Sequence, residues 1–416
     1  MAKQAVVIGA GMIGLMTAYY LRGNGLDVTI VDEGEPGLGC SFGNAGLICP
    51  SLSAPLPGAG LVGQSLIWAL HGDSPLYIKP SAAPRLFGWL LAFWSHCNQR
   101  EHDAGLAAML SFNLRTIELY DRLKADGVEF EMHDEGLLFA FLDEKGLDQE
   151  FTELRKIERY GFPAPQRLDR DDMHAAEPKL SDQVVGGVLL PAERHVQPRS
   201  LSLGMVRRLQ DAGVEFRSHT RVDGFDMRSG AIATANADRE RIGGDLFILS
   251  AGVWTRQLAA MAGVGLPLQA GKGYSVTLPA TGEPFRHALY LGDTKVVLSQ
   301  YRGEVRIAGT MEFSGYNTRL DAARIRGLRS AAARYLRANL PGGQEQEWTG
   351  MRPMTPDGLP IIGQLPGIAN AFVSTGHSTN GVFMAPVSGE AMAQLAIQGK
   401  TETDIKAFDP RRFASH

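Results

Sequence analysis

The segment Gln4–Asp32, QAVVIGAGMIGLMTAYYLRGNGLDVTIVD, restricts the fold more than any other part of this chain. An apolar run, Ala5–Ile8, stops at Gly9, and Gly9, Gly11 and Gly14 stand in G-x-G-x-x-G spacing. Met12, Leu15, Ala18, Tyr19 and Arg22 then recur at helical spacing until Gly23 and Gly25 close the pattern. A second apolar run, Val28–Val31, ends in Asp32. Strand, tight turn, helix and strand make a βαβ unit. Gly9 permits the turn, Gly11 lets backbone approach a pyrophosphate, and Gly14 lets helix and strand pack closely. Met12 and Ile13 open a helix whose unpaired N–H groups favour phosphate. Asp32 and Glu33 follow the second strand, where a carboxylate accepts hydrogen bonds from ribose hydroxyls and disfavours a 2′-phosphate. The segment predicts an adenine dinucleotide, FAD or NAD, and argues against NADP.

At 416 residues the chain can bury a large core and divide into two domains. Its net charge of −4, from nearly balanced acids and bases, leaves no electrostatic footprint for nucleic acid. Cys40, Cys49 and Cys97 show no C-x-x-C and no metal spacing, the usage of a reducing compartment. The first strand starts almost at Met1, leaving no room for a signal peptide, and no run is long enough to span a bilayer. These features predict a cytoplasmic α/β or α+β protein.

After Asp32 the chain turns dense in Gly and small residues from Gly34 to Gly46, a loop suited to lying against a flat ligand. Leu61–Leu70 and Pro84–Trp94 are strongly apolar. They read as helix buried against the domain, with a peripheral contact to the inner membrane as the other reading. A long amphipathic helix is expected over 104–125, a third parallel strand over 214–216 and an exposed β-meander over 221–245. Leu246–Ser250 reads as a core strand ending in the small-residue turn Ala251-Gly252-Val253-Trp254. Several strands over 272–314 suggest an antiparallel sheet, followed by a helix over 322–339 closed by Pro341-Gly342-Gly343. Near the C-terminus, AFVSTGHSTNGVFMAPVSGEAMAQLAIQG reads as a second strand–loop–helix with a glycine-bearing helix start.

Taken together, these pieces resemble the D-amino-acid oxidase/dehydrogenase superfamily of FAD enzymes. The resemblance rests on Gly9–Gly14 with Asp32, Ser41-Phe42-Gly43-Asn44-Ala45-Gly46, Gly187–Pro198, Ser250–Trp254 and Gly273-Tyr274. It continues through Arg352-Pro353-Met354-Thr355-Pro356-Asp357-Gly358 and Gly376-His377 with Asn380-Gly381. Cys40–Trp94 is similar to bacterial D-amino-acid dehydrogenase, whereas the wording of 376–382 is more similar to glycine oxidase.

The resemblance implies a Rossmann-like FAD-binding domain from 1–50, 186–262 and 345–416, with an inserted substrate domain, 51–185 and 263–344, built on a mostly antiparallel sheet plus helices. It also implies cofactor contacts from Ser41, Asn44, Ala45, Gly46, Val222, Ala251, Gly252, Trp254, Gly376, Asn380, Gly381 and Val382. The flavin is expected to be non-covalent, because Gly350 stands where monomeric sarcosine oxidases carry the bonding cysteine. The implied reaction is oxidative deamination of a D-amino acid. The Cα hydrogen leaves as hydride to flavin N5, the imino acid hydrolyses to a 2-oxo acid and ammonia, and a quinone or carrier takes the electrons. The alternatives are a glycine/sarcosine-type or D-proline/hydroxyproline oxidase using oxygen, and a non-catalytic flavoprotein subunit. Arg352, because it stands in the family's block Arg352–Gly358, is the carboxylate clamp the resemblance implies, and the planar fork of an arginine suits a carboxylate bidentately. Tyr274 is expected either to serve the reaction, by lining the pocket or capping the substrate carboxylate, or to sit in the core. His377 is expected as a base or, more in keeping with such chemistry, a positioning group, and His195 as structural. No metal is expected.

Overall fold

The computed structural model describes residues 3–58, 76–238, 240–337 and 345–413. The apolar runs at 61–70 and the turn at 341–343 lie outside them. Ala5–Ile8 is buried on both faces, as a central parallel strand must be. The strand Gln4–Ile8 pairs in parallel with Asp27–Val31 on one side and Leu246–Leu249 on the other. Glu215–Arg217 extends the sheet in parallel beyond Asp27–Val31, the third strand expected from the sequence. Ala371–Thr375 adds a further parallel strand, and Ile361–Gln364 closes that edge antiparallel. Both ends of the chain therefore meet in one sheet.

Helices Met12–Gly23 and Gly381–Gln398 pack against each other on this sheet. They approach so closely at Gly389 that a Cβ there would lie 2.7 Å from the Met16 carbonyl carbon and 2.9 Å from the Thr17 nitrogen. The antiparallel meander Val222–Arg228, Ala231–Ala237 and Glu240–Gly243 appears where expected.

The second sheet runs in the order Gln346–Met354, Gln269–Pro279, Glu304–Phe313, Val296–Tyr301, Ala288–Leu291, Leu137–Phe141, Gly186–Leu190 and Gln166–Leu168. Leu76–Ile78 pairs beside Glu304–Phe313. Its pairings are antiparallel except those of Ala288–Leu291 with Leu137–Phe141 and of Leu76–Ile78 with Glu304–Phe313. Gly186–Leu190 and Gln346–Met354, from segments expected in the dinucleotide domain, are strands of this sheet. One face is covered by helix Ala322–Tyr335 through Val276, Leu289, Leu298, Ile307 and Leu328.

The helix expected over 104–125 is broken into Gln99–Asn113 and Thr116–Ala125. At the break, buried Asn113 turns its amide to Ser53 Oγ (2.9 Å), and Arg115 reaches Glu390 on the C-terminal helix (2.8 Å). Met109, Phe112, Leu119, Tyr120 and Leu123 share a core with Leu15, Met16 and Phe383. These helices thus pack against the six-stranded sheet of Gln4–Ile8 rather than the second sheet, to which their sequence position pointed. Helix Ala83–Ser95 buries Leu86, Leu90 and Phe93 but leaves Phe87 59% and Leu91 47% exposed. No described helix is long and apolar enough to cross a membrane.

Candidate active site

A cavity of about 1240 Å³ is lined by residues of both large sheets. At one end stands the glycine turn. Gly9 has φ 111°, and a Cβ on it would lie 2.6 Å from Ser250 O and 2.7 Å from Ala251 N, so the two strand ends meet there with no room for a side chain. Gly14 is excluded from any larger side chain by the Gly9 carbonyl. Gly11 has no neighbour within 4 Å of its Cβ position and faces the cavity. That open space, at the start of a helix with no side-chain cap, is the room a pyrophosphate needs. The Asp32 carboxylate accepts from Ala10 N (2.6 Å) and Gly34 N (2.8 Å). It thus ties the glycine turn to the following loop, and with about four acceptor positions it retains capacity for ribose hydroxyls.

The loop after Asp32 is held by the second sheet. Ala45 O accepts from Ser299 Oγ and Tyr301 Oη, both at 2.7 Å. Arg306 Nη1 donates to Phe42 O (3.1 Å) and Asn44 O (2.9 Å). Asn44 Oδ1 receives Gly46 N at 2.7 Å, closing a turn in which Gly46 has φ 73°. None of these sheet anchors was found from sequence, although a buried Arg inside the apolar run Val305–Ala308 was a visible signal.

The C-terminal segments close the other side. Strand Gln346–Met354 carries Arg352, whose Nη1 donates to Thr310 O at 2.7 Å. Thr310 has φ 65°, a conformation unusual for a non-glycine residue and one concentrated at functional sites. No described carboxylate pairs with Arg352, and burial pushes its pKa down to about 10. A guanidinium cannot give up its proton at neutral pH, so this cation faces the cavity uncompensated. Helix Gly381–Gln398 also begins with no side-chain cap, and Asn380, Gly381 and Val382 face the same cavity. Two helix N-termini thus direct positive potential into one space.

His377 is buried. Its Nε2 pairs with Ser388 Oγ (3.0 Å), Nδ1 has no hydrogen-bond partner among the described residues, and burial pushes its pKa down to about 3. Held neutral by burial, the ring ties the loop before the C-terminal helix to Ser388 on that helix. Tyr274 borders the cavity, but its ring packs with Val276, Leu289 and Leu328 on the helix side of the sheet. Its hydroxyl donates to Glu312 (2.7 Å), itself paired with Lys272 (3.0 Å). Of the readings expected for Tyr274, the core one describes where its phenol is engaged, although the residue also borders the cavity. His195 is structural, with Nε2 on Gln300 O (2.9 Å) and its ring stacked on His133.

Gly9, Gly11, Met12, Ile13, Asp32, Glu33, Ser41, Asn44, Ala45, Val222, Ala251, Gly252 and Trp254 all line the cavity. Gly14, Gly46 and Gly376 do not; each supports it through close backbone packing, Gly376 with φ 76° against Thr355 and Ile361. Cys40, Trp348, Tyr290 and Phe139 line it without having been singled out from sequence. The described residues contain no group of His, Cys, Asp and Glu able to hold a metal.

Residues 4–395 match the family described as DAO, FAD dependent oxidoreductase. The chain belongs to this family. A D-amino acid dehydrogenase of Bradyrhizobium diazoefficiens is 30% identical over 423 residues, which cover 99% of each chain. Among solved structures, the fold is similar to L-proline dehydrogenase from P. horikoshii (TM-score 0.78, 19% identity, 99% and 98% of the two chains). It is also similar to glycine oxidase from Geobacillus kaustophilus (TM-score 0.75, 21% identity, 99% of each chain). The protein is an oxidoreductase and its cofactor is FAD. The open face of Gly11, the two uncapped helix starts and Asp32 fit that dinucleotide.

Proposed function

We propose that this flavoenzyme oxidises a D-amino acid to its imino acid, which hydrolyses to a 2-oxo acid and ammonia. The observation that carries the reading is Arg352, a cavity-facing guanidinium with no described carboxylate partner. Its Nη1 is held by Thr310 O, which orients the planar fork and leaves its other N–H groups for a substrate carboxylate. FAD, when bound, supplies the acceptor for the two electrons and the hydrogen that leave the substrate's Cα. The amides of Gly381 and Val382, at the positive end of an 18-residue helix, stabilise negative charge that develops beside them. His377, neutral and bonded to Ser388, holds the loop that aims those amides. Ser378 N donates to Pro353 O (3.1 Å), which fastens the same loop to the Arg352 strand. The clamp and the helix start are thereby held in one frame.

The chemistry of a carboxylate clamp beside FAD is what supports an amino-acid substrate; the full-length D-amino acid dehydrogenase relative supports the D series and a non-oxygen acceptor, a quinone or carrier. The outward apolar residues Phe87, Leu91 and Trp94 offer a peripheral contact with a membrane holding such an acceptor. Gly350 beside the cavity, with the Trp348 ring filling its Cβ position, supports non-covalent flavin. The second reading, a glycine/sarcosine-type or D-proline oxidase, is favoured by the segment Gly376–Gly381. Anaerobic addition of D-amino acids to the flavin-loaded protein should bleach the flavin, and a dye should reoxidise it faster than air. A flavin that stays oxidised with every D-amino acid removes the proposal. Peroxide release with glycine or sarcosine selects the second reading.

A further inference from the structure

The cavity does not end at Arg352. In the second sheet, Trp348 is opposite Ser275, Ser275 opposite Ala308, Ala308 opposite Val297, Val297 opposite Tyr290 and Tyr290 opposite Phe139. Directly opposed residues share a face, and Arg352 shares the face of Trp348 by the two-residue alternation of its strand. Trp348, Ala308, Val297, Tyr290 and Phe139 all line the cavity. The guanidinium of Arg352 reaches across Gly273, whose missing Cβ makes room for it, to Thr310. From the Thr310 strand to that of Tyr290 is two strand spacings, about 10 Å.

The floor over that distance is Ala308 and Val297, small and apolar. The far end is aromatic, with Phe139 and Tyr290 stacked at 4.6 Å between ring centroids and 28° between planes. Leu106, Leu154 and Ile157 line the same end from the helices. Lys295 and Glu150 pair at 3.2 Å on its rim, so the charges there neutralise each other and leave the interior to an uncharged group.

Resting on the reading of Arg352 as the carboxylate clamp, we propose that this corridor takes the substrate's side chain and selects large apolar, above all aromatic, α-amino acids. A phenyl or indole ring projecting from a carboxylate at Arg352 fills the floor and meets Phe139 and Tyr290 in the offset geometry aromatic rings prefer. A methyl group leaves the corridor to water.

The test uses the FAD-loaded full chain. With D-phenylalanine or D-tryptophan, kcat/KM should exceed that with D-alanine by at least roughly tenfold, since hydrophobic pockets discriminate by that order per missing group. Perturbation of the flavin spectrum should report tighter binding of 3-phenylpropionate than of acetate by a similar factor. Val297→Phe, which fills the floor, should collapse both ratios toward unity; if that variant fails to load FAD, the two wild-type ratios decide. Equal or better turnover of D-alanine, together with equal binding of the two carboxylates, overturns the corridor while leaving the amino-acid reading intact. If no D-amino acid bleaches the flavin, the amino-acid reading fails, and the carboxylate pair alone then supports or overturns the corridor.

Discussion

Arg352 donates to the carbonyl of Thr310, and it can do so only because Gly273, on the strand between them, has no side chain. The placement of the Arg352 guanidinium therefore depends on a glycine of the neighbouring strand. Arg352→Ala should lower kcat/KM roughly a hundredfold to a thousandfold, the range for removing one partner of a desolvated charge pair. Gly273→Val should approach the same loss by displacing the guanidinium, while the flavin content stays at the wild-type level. Steady-state kinetics beside the 450 nm flavin absorbance checks both; a Gly273→Val enzyme with normal KM would contradict the arrangement.

Gly11 and Gly14 separate cofactor binding from folding. Gly11 has open space at its Cβ position, so Gly11→Ala should leave the melting temperature of the apoprotein unchanged. It should weaken FAD on the order of tenfold or more, since the methyl occupies ligand space. Gly14→Ala forces a methyl onto the Gly9 carbonyl and should cost about 1–3 kcal/mol of folding stability even without FAD. Thermal unfolding of both apo variants, with a flavin titration, distinguishes the two effects.

Tyr274→Phe tests which face of the strand carries chemistry. Its hydroxyl donates to buried Glu312, so removing it should cost about 1–3 kcal/mol of stability. Turnover should hardly change. A large fall in kcat with an unchanged melting temperature would return Tyr274 to the active site.

Arg306 pins Phe42 O and Asn44 O and also donates to Thr277 Oγ1 at 3.0 Å. Arg306→Met keeps the buried stem but leaves two carbonyls without this donor. A stability loss of about 3 kcal/mol is expected from bonds to a charged donor. Faster FAD release on dilution should accompany it, because the loop Ser41–Gly46 keeps only its bonds from Ser299 and Tyr301 to the second sheet.

His377 and His195 set a pH dependence. Burial holds their folded pKa values at about 3 and about 4, below the ordinary 6.5. Between those values and 6.5 the unfolded chain binds more protons, so their contribution is complete above pH 6.5 and is lost as pH falls. Glu193, pushed up to about 7 by burial, acts with the opposite sign, its contribution fading as pH rises from 4.5 through 7. The His377→Gln variant should therefore lose less stability than the wild type between pH 7 and 4, read as melting temperature against pH. Identical slopes would show that His377 is not buried in neutral form.

The dinucleotide half was legible because its signals are local. Gly9, Gly11 and Gly14 lie within six residues, the flanking apolar runs have strand length, and a glycine's role at a tight turn follows from backbone sterics alone. Helix Gly381–Gln398 was legible for the same reason, and so was the meander after Val222. The break at Asn113 was not, since the periodicity continues through it and the cause is contact with Ser53 and Glu390, distant in sequence.

By itself the sequence determined that an adenine dinucleotide is held by a βαβ turn, and through resemblance it named the cofactor and picked out Arg352. Only the tertiary structure decided which face of each strand meets the cavity. Strand alternation tells that Tyr274 and its neighbours point opposite ways, but not which way is inward. The alternation along Gln269–Pro279 runs unbroken against Gln346–Met354, and the packing of helix Ala322–Tyr335 makes the face of Tyr274 the core face. The same packing left Val297, Tyr290 and Phe139 facing the cavity from strands far apart in the chain. Local sequence governs backbone conformation, whereas the burial of one sheet face is a property of everything packed against it.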